Sequence, residues 1–285
     1  MPKCLKTDTA LSKMKINKRK WAIVGTIVLW VGILSYLGFS IFFVKDREKG
    51  TVCRRVEVVI ADSAQNRFIN TEDIIVTANK VVKKLVGTRI SKINTHRIEN
   101  KILEMPFIKR AEVYTSVSGV LRIEVEQREV IMRIFNADGS SCYIDKDGYI
   151  IPLSERSAAD VVVVSGNISL KNGKGGRVRV VDTSKDSCDR KGLLPELFDF
   201  VTYIRNDEFW NAQIEHVYIN SPKDIELITR VGNHTVLLGS FEDFQTKLKK
   251  LFVFYKNALP REGWNRYSII NLKYKNQVIC KNKVL

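Results

Sequence analysis

Ile108 to Gln127 reads I-K-R-A-E-V-Y-T-S-V-S-G-V-L-R-I-E-V-E-Q. Leu121, Ile123 and Val125 alternate with Arg122, Glu124 and Glu126, the period of a strand with one wet face. Ser118-Gly119 folds the preceding run, Ile108 to Val117, back against it as a second strand. Upstream, Pro106 stops a helix that starts at Asn94-Thr95 and carries Ile98, Ile102 and Leu103 on its apolar side. Before it, Asn70-Thr71-Glu72-Asp73 is a helix start, a cap followed by carboxylates in the first turn. Ile74, Ile75, Ala78, Val81, Val82 and Leu85 recur at helical spacing as far as Gly87. Arg54 to Ile60 reads as the first strand, with Val56 and Val58 opposite Glu57. The order over residues 53–127 is therefore β-α-α-β-β.

Residues 128–285 have a different character. Cys142-Tyr143-Ile144 and Tyr149-Ile150-Ile151 flank Asp145-Lys146-Asp147-Gly148, a hairpin with Asp-Gly at its turn. Val161 to Val164 reads as a buried strand, Asn172 to Gly176 as a loop, and Leu193 to Ile204 as a helix with Leu194, Leu197, Phe198, Val201 and Ile204 inward. Strands are expected at 214–220, 224–231 and 234–239. A helix over 241–259 puts Phe244, Leu248, Leu251, Phe252, Tyr255 and Leu259 on one stripe, with Lys247, Lys249, Lys250 and Lys256 off it. Strands Tyr267 to Tyr274 and Gln277 to Lys281 meet at Lys275-Asn276. The reading is a larger domain built on an antiparallel sheet with flanking helices, and the fold class is α+β.

The amino-terminal part is not globular. Trp21 to Val44 holds no charged residue. As a helix it extends about 36 Å, enough to cross the ~30 Å hydrocarbon core. Trp21 is placed as an interfacial anchor, and Lys18-Arg19-Lys20 puts the basic tail, residues 1–20, on the cytoplasmic side. Phe42-Phe43-Val44-Lys45 offers no small-x-small cleavage site, so an uncleaved transmembrane helix over 21–44 is expected, followed by a linker at 45–52 and an exported portion over 45–285. A net charge of +16 in 285 residues raises the question of nucleic acid. The tail alone carries seven basic residues against Asp8, so much of that charge is a topology signal, and the chain has no nucleic-acid-binding motif.

Residue patterns for chemistry fail one by one. Asp145-x-Asp147-Gly148 resembles the start of a calcium loop, but its twelfth position is Arg156 and not a bidentate Glu. Gly173-Lys174-Gly175-Gly176 lacks phosphate-loop spacing. His96, His216 and His234 are scattered and no G-x-S-x-G elbow occurs. No catalytic, metal or cofactor site is expected, which favours a binding or scaffold protein. Cys4, Cys53, Cys142, Cys188 and Cys280 show no C-x-x-C spacing. Cys4 falls on the reducing side, while the other four allow three disulfide pairings or free thiols, and free thiols are favoured. The carboxyl-terminal hairpin can end as a sheet edge, a template for another chain's strand.

The order of parts resembles the bacterial division family FtsQ/DivIB: basic tail, one span, a β-α-α-β-β POTRA module, then a larger β domain. The resemblance lies in I-N-T-E-D-I-I (69–75), V-G-T-R-I-S-K-I-N (86–94), M-P-F-I-K-R-A-E-V (105–113), L-R-I-E-V-E-Q-R-E-V (121–130), Y-I-D-K-D-G-Y-I-I-P (143–152), G-S-F-E-D-F-Q-T-K-L-K-K-L (239–251) and I-N-L-K-Y-K-N (270–276). Two positions depart from the family pattern. Gln127-Arg128-Glu129-Val130 replaces a Glu-Arg-x-Pro-like junction, and Asn271 and Lys273 stand in an Asp-Leu-Arg-Tyr-like pattern. The resemblance implies a non-enzymatic scaffold at the division septum, set in the cytoplasmic membrane, that links early and late division proteins. Its implied partners are small single-span proteins of the FtsB/DivIC and FtsL type, and other divisome membrane proteins through the POTRA module. The implied partner surface is the strand pair at Leu272, Lys273, Tyr274, Asn276, Gln277, Val278 and Ile279, with Lys249 and Lys250 nearby. A competing reading, a POTRA module for envelope polypeptide transport or assembly, predicts several such modules or a membrane barrel; the sequence shows one module and no barrel pattern.

Overall fold

The computed structural model describes residues 27–40, 51–61, 68–170 and 192–283, which fall into two units. The tail 1–20, Trp21, Val44, the linker residues 45–50, Cys4, Cys188 and the loop at Asn172 to Gly176 lie outside the described residues.

One unit comprises residues 1–56, 84–94 and 115–121. Helix α1 covers 27–40, the middle of the apolar stretch, with Ile27, Leu34 and Phe39 exposed. Among the described residues no helix is long and apolar enough to cross a membrane. The later segments of this unit are tied by backbone. The Cys53 N–H donates to Thr88 O at 2.8 Å, the Gly87 N–H to Cys53 O at 2.7 Å, the Ile90 N–H to Thr51 O at 3.0 Å and the Arg54 N–H to Gly119 O at 2.8 Å. That last approach needs a glycine. Gly119 sits at φ +86°, and a Cβ on it would fall 2.6 Å from Val52 O.

The other unit holds residues 57–83, 95–114 and 122–285. Helix α2, Thr71–Val81, begins where expected, with the Asp73 carboxylate reaching back to the Asn70 N–H at 3.2 Å in a capping box. It ends earlier than the apolar spacing suggested. Val82 is extended (φ −131°, ψ 111°), so Val82 and Leu85 lie beyond the helix. Two adjacent β-branched residues, Val81 and Val82, favour that exit. Helix α3, Thr95–Leu103, buries Ile98 and Ile102, while Leu103 is only half-buried. Strands β1 (Arg55–Ala61), β2 (Ile108–Thr115) and β3 (Val120–Gln127) form a three-stranded sheet in the order β1-β3-β2.

The second sheet has nine strands. In chain order they are β4 (Val130–Phe135), β5 (Ser141–Asp145), β6 (Ile150–Ile151), β7 (Val162–Gly166), β8 (Ile214–Ser221), β9 (Asp224–Thr229), β10 (Thr235–Gly239), β11 (Tyr267–Asn271) and β12 (Ile279–Asn282). Helices α4 (Leu193–Asn206) and α5 (Glu208–Gln213) separate β7 from β8, and α6 (Phe244–Asn257) and α7 (Leu259–Glu262) separate β10 from β11. The spatial order is β12-β11-β10-β9-β8-β7-β4-β5-β6. The expectation of an antiparallel sheet is corrected here: β4 with β7, β7 with β8, and β10 with β11 are parallel, so the sheet is mixed. The helical pairs supply two of the crossovers that parallel neighbours require. Strand β4, absent from the sequence reading, buries Val130, Ile131, Met132 and Ile134; only Met132 to Phe135 alternate between buried and more exposed positions, too short a stretch to set a period.

Helices α4 and α6 cover one face of this sheet. Leu197, Phe200, Val201 and Ile204 from α4 and Phe244, Leu248, Leu251 and Tyr255 from α6 join Ile134, Val164, Val217, Leu227, Val236 and Ile270 in one core. Phe200 takes the inward place expected for Leu194 and Phe198, which are half-buried, and Phe252, expected inward, is 40% exposed. The Asp145 turn is a hairpin. One carboxylate oxygen accepts the N–H groups of Asp147 at 3.0 Å and Tyr149 at 2.7 Å, and the other pairs with Arg128 at 2.7 Å. Among the described residues no cluster of His, Cys, Asp or Glu is arranged to hold a metal ion. The thiols of Cys53, Cys142 and Cys280 are free, and burial pushes that of Cys142 up to about 11.

Candidate partner-binding edge

The carboxyl-terminal residues singled out from sequence converge at one end of the nine-stranded sheet. Strand β11 pairs parallel with β10, Thr235 opposite Ile269 and Leu237 opposite Asn271. The Leu272 N–H extends that ladder by donating to Leu237 O at 2.9 Å. Strand β12 returns antiparallel to β11, with Ile270 opposite Cys280 and Asn271 opposite Ile279, and it is the terminal strand of the sheet. One side of β12 therefore has no strand beside it among the described residues. The opposite end is closed by β6, only two residues long.

The strands are shorter than the sequence reading gave them. Leu272 to Val278 is a connecting loop, turned at Asn276 (φ +58°), a left-handed position that asparagine tolerates. Of the expected partner residues, only Ile279 lies in a strand, where its side chain is 45% exposed. Tyr274 is 50% exposed, and Lys273, Asn276 and Gln277 are also solvent-facing. Leu272 is a correction: it is wholly buried, a core residue that holds the loop from inside and offers no surface to a partner.

Two of the lysines have structural work. Lys250 Nζ donates to Tyr274 O at 2.7 Å and reaches Leu272 O at 3.5 Å, so α6 clamps the loop through its carbonyls. Lys273 Nζ lies 2.5 Å from an Asp224 carboxylate oxygen at the start of β9. That hydrogen bond holds the Asp224 carboxyl below its usual range. Lys249, Lys250, Asn276, Gln277 and Val278 line a groove of about 530 Å³ beside β12 together with Thr246, Val253, Phe254, Asn257 and Ala258. The last five were missed from sequence. Thr246, Lys249, Val253 and Asn257 follow a spacing of three and four residues along α6, a second stripe beside the buried one that was legible in principle. Among the described residues the result is an unpaired strand edge, an apolar trough and a cationic rim with no nucleophile or paired acid and base.

Comparison with known proteins agrees with this architecture. Residues 51–126 match a POTRA-like domain, and residues 129–281 match the family described as FtsQ/DivIB, C-terminal related. The chain is 23% identical over 205 residues to the cell division protein DivIB of Clostridium acetobutylicum, covering 70% of this chain and 74% of that one. It is 22% identical over 206 residues to the cell division protein FtsQ of Rhodothermus marinus (69% and 68% covered), and 22% identical over 206 residues to DivIB of Clostridium tetani (69% and 74%). The POTRA-like module, the mixed sheet that follows it and these matches together place the chain in the FtsQ/DivIB family of cell division proteins.

Proposed function

We propose that the chain is a non-enzymatic scaffold of the division septum. It is held in the cytoplasmic membrane by a single span over 21–44, with residues 45–285 outside, and it binds small single-span partners of the FtsB/DivIC and FtsL type by adding a partner strand to β12. The observation that carries the reading is the position of β12, last in a nine-stranded sheet and next to the α6 groove. Strand addition would draw affinity from main-chain hydrogen bonds and register from alternate side chains such as Ile279. The basic rim at Lys249 favours an acidic partner segment.

The direct test is binding of the detergent-purified full chain to an FtsB/DivIC-type protein. Saturable binding that a partner variant with proline in its added strand loses is the expected result; no binding to a correctly folded chain overturns the proposal. A reporter fused at residue 285 must also report the side opposite the amino terminus.

A further inference from the structure

The segments 51–56, 84–94 and 115–121, held together by the backbone pairs described above, have a one-sided composition. Arg54, Arg55, Lys84, Arg89 and Lys92 are all exposed, and none of the three segments contains an aspartate or glutamate. Valines face solvent among them: Val52 is 40% exposed, Val86 45% and Val117 85%. Val117 stands at the tip of the turn between β2 and β3, closed by the Gly119 N–H donating to Ser116 O at 2.9 Å. Exposed cations in the same unit as exposed apolar side chains suit the boundary between phospholipid headgroups and acyl chains.

The chain's own connectivity supplies the surface. Thr51 follows Val44, the end of the proposed span, by so few residues that it stays within about 25 Å of the membrane even when the link is fully extended. We propose that Arg54, Lys84, Arg89 and Lys92, with Val117 as the inserted tip, dock this unit on the anionic phospholipid bilayer in which the chain is anchored. The proposal rests on the single-span reading. Its strength follows from the number of cations, each contributing on the order of fivefold in affinity for an anionic surface.

The test uses the full chain reconstituted in vesicles of phosphatidylcholine alone or with one-third phosphatidylglycerol. An uncharged acylating ester is added, and labelling is read by mass spectrometry at Lys84 and Lys92 against the exposed Lys281. Labelling of Lys84 and Lys92 should fall at least severalfold on the anionic vesicles only. High salt should restore it, and so should the variant Arg54→Glu with Arg89→Glu, which leaves both reporter lysines in place. Equal labelling on the two vesicles, with the chain retained through an alkaline wash, overturns the docking and leaves the single span standing. Release of the chain by that wash overturns the span and the docking with it.

Discussion

The guanidinium of Arg128 lies 2.7 Å from the carboxylate of Asp145, with only 13% and 2% of the two side chains exposed. Arg128 follows the last residue of β3, and Asp145 closes β5, so the pair fastens the segment between the two sheets to the hairpin turn. Arg128 also lies over the Tyr149 ring at 4.2 Å, and Lys146 Nζ reaches Glu129 at 3.0 Å. Where the family pattern places proline after this junction, the chain has Val130, a buried strand residue. The junction is therefore held by charge and packing.

Removing Arg128 should be the more damaging way to break this pair. Burial raises the Asp145 carboxyl above its usual range, against the opposing pull of the Tyr149 N–H and Arg128. Arg128→Met strands that carboxylate without a counter-charge and should cost about 3–5 kcal/mol, whereas Asp145→Asn strands the guanidinium, which keeps 13% exposure and the face of the Tyr149 ring, and should cost less. Urea unfolding midpoints of the two variants decide it; equal losses would mean that the packing, and not the charge, matters.

A pH effect follows from His234. Its ring nitrogen lies 2.7 Å from the Tyr255 hydroxyl, burial holds the imidazole below its ordinary 6.5, and burial pushes the Tyr255 hydroxyl up to about 12. Below pH ~6.5 the unfolded chain takes up a proton that folded His234 refuses, so stability falls as pH drops from about 6.5 toward the lowered folded value and is level above it. His216 is also lowered by burial and adds to the same slope. His234→Gln should flatten part of the difference between unfolding midpoints at mildly acidic and neutral pH. An unchanged slope would exclude His234 as its source.

Two glycines separate backbone strain from steric overlap. Gly87 (φ +89°) has open space where a Cβ would sit, while Gly119 (φ +86°) would place one 2.6 Å from Val52 O. Gly87→Ala should cost about 1 kcal/mol from conformation alone. Gly119→Ala carries the same strain and also pushes on the Val52 backbone, so it should cost about 2–3 kcal/mol. Amide exchange at Arg54, whose N–H bonds Gly119 O, should accelerate in the second variant only.

What the sequence disclosed and what it hid have a common cause. Strand β3 alternates because its sheet has one wet face, so Leu121, Ile123 and Val125 announced themselves, and all three are buried. Strand β4 opens on three consecutive buried residues, Val130 to Met132, and the alternation of Met132 to Phe135 that follows is too short to announce a strand. Parallel pairing of β7 with β8 is a long-range choice set by where α4 and α5 pack, which no local spacing records. At the edge, Leu272, Lys249, Asn276, Gln277 and Val278 were all named by resemblance; the last four line one groove, whereas Leu272 is core. The α6 residues Val253 and Asn257 were passed over because a half-exposed stripe beside a buried one reads as ordinary solvent face.

The edge itself offers the sharpest discrimination. Ile279 opens β12 with its side chain 45% exposed, so Ile279→Asp leaves the core untouched and should change the unfolding midpoint little, within about 0.5 kcal/mol. Strand addition places that side chain beside the incoming strand, where an unpaired carboxylate is desolvated and, against an acidic partner, repelled. Affinity for an FtsB/DivIC-type partner should then drop by at least about tenfold, or 1.4 kcal/mol. Lys249→Glu, on the rim of the groove, should lower the association rate and its salt dependence more than the dissociation rate. Undiminished affinity in Ile279→Asp would place the partner somewhere other than β12, whatever the lysine variant does.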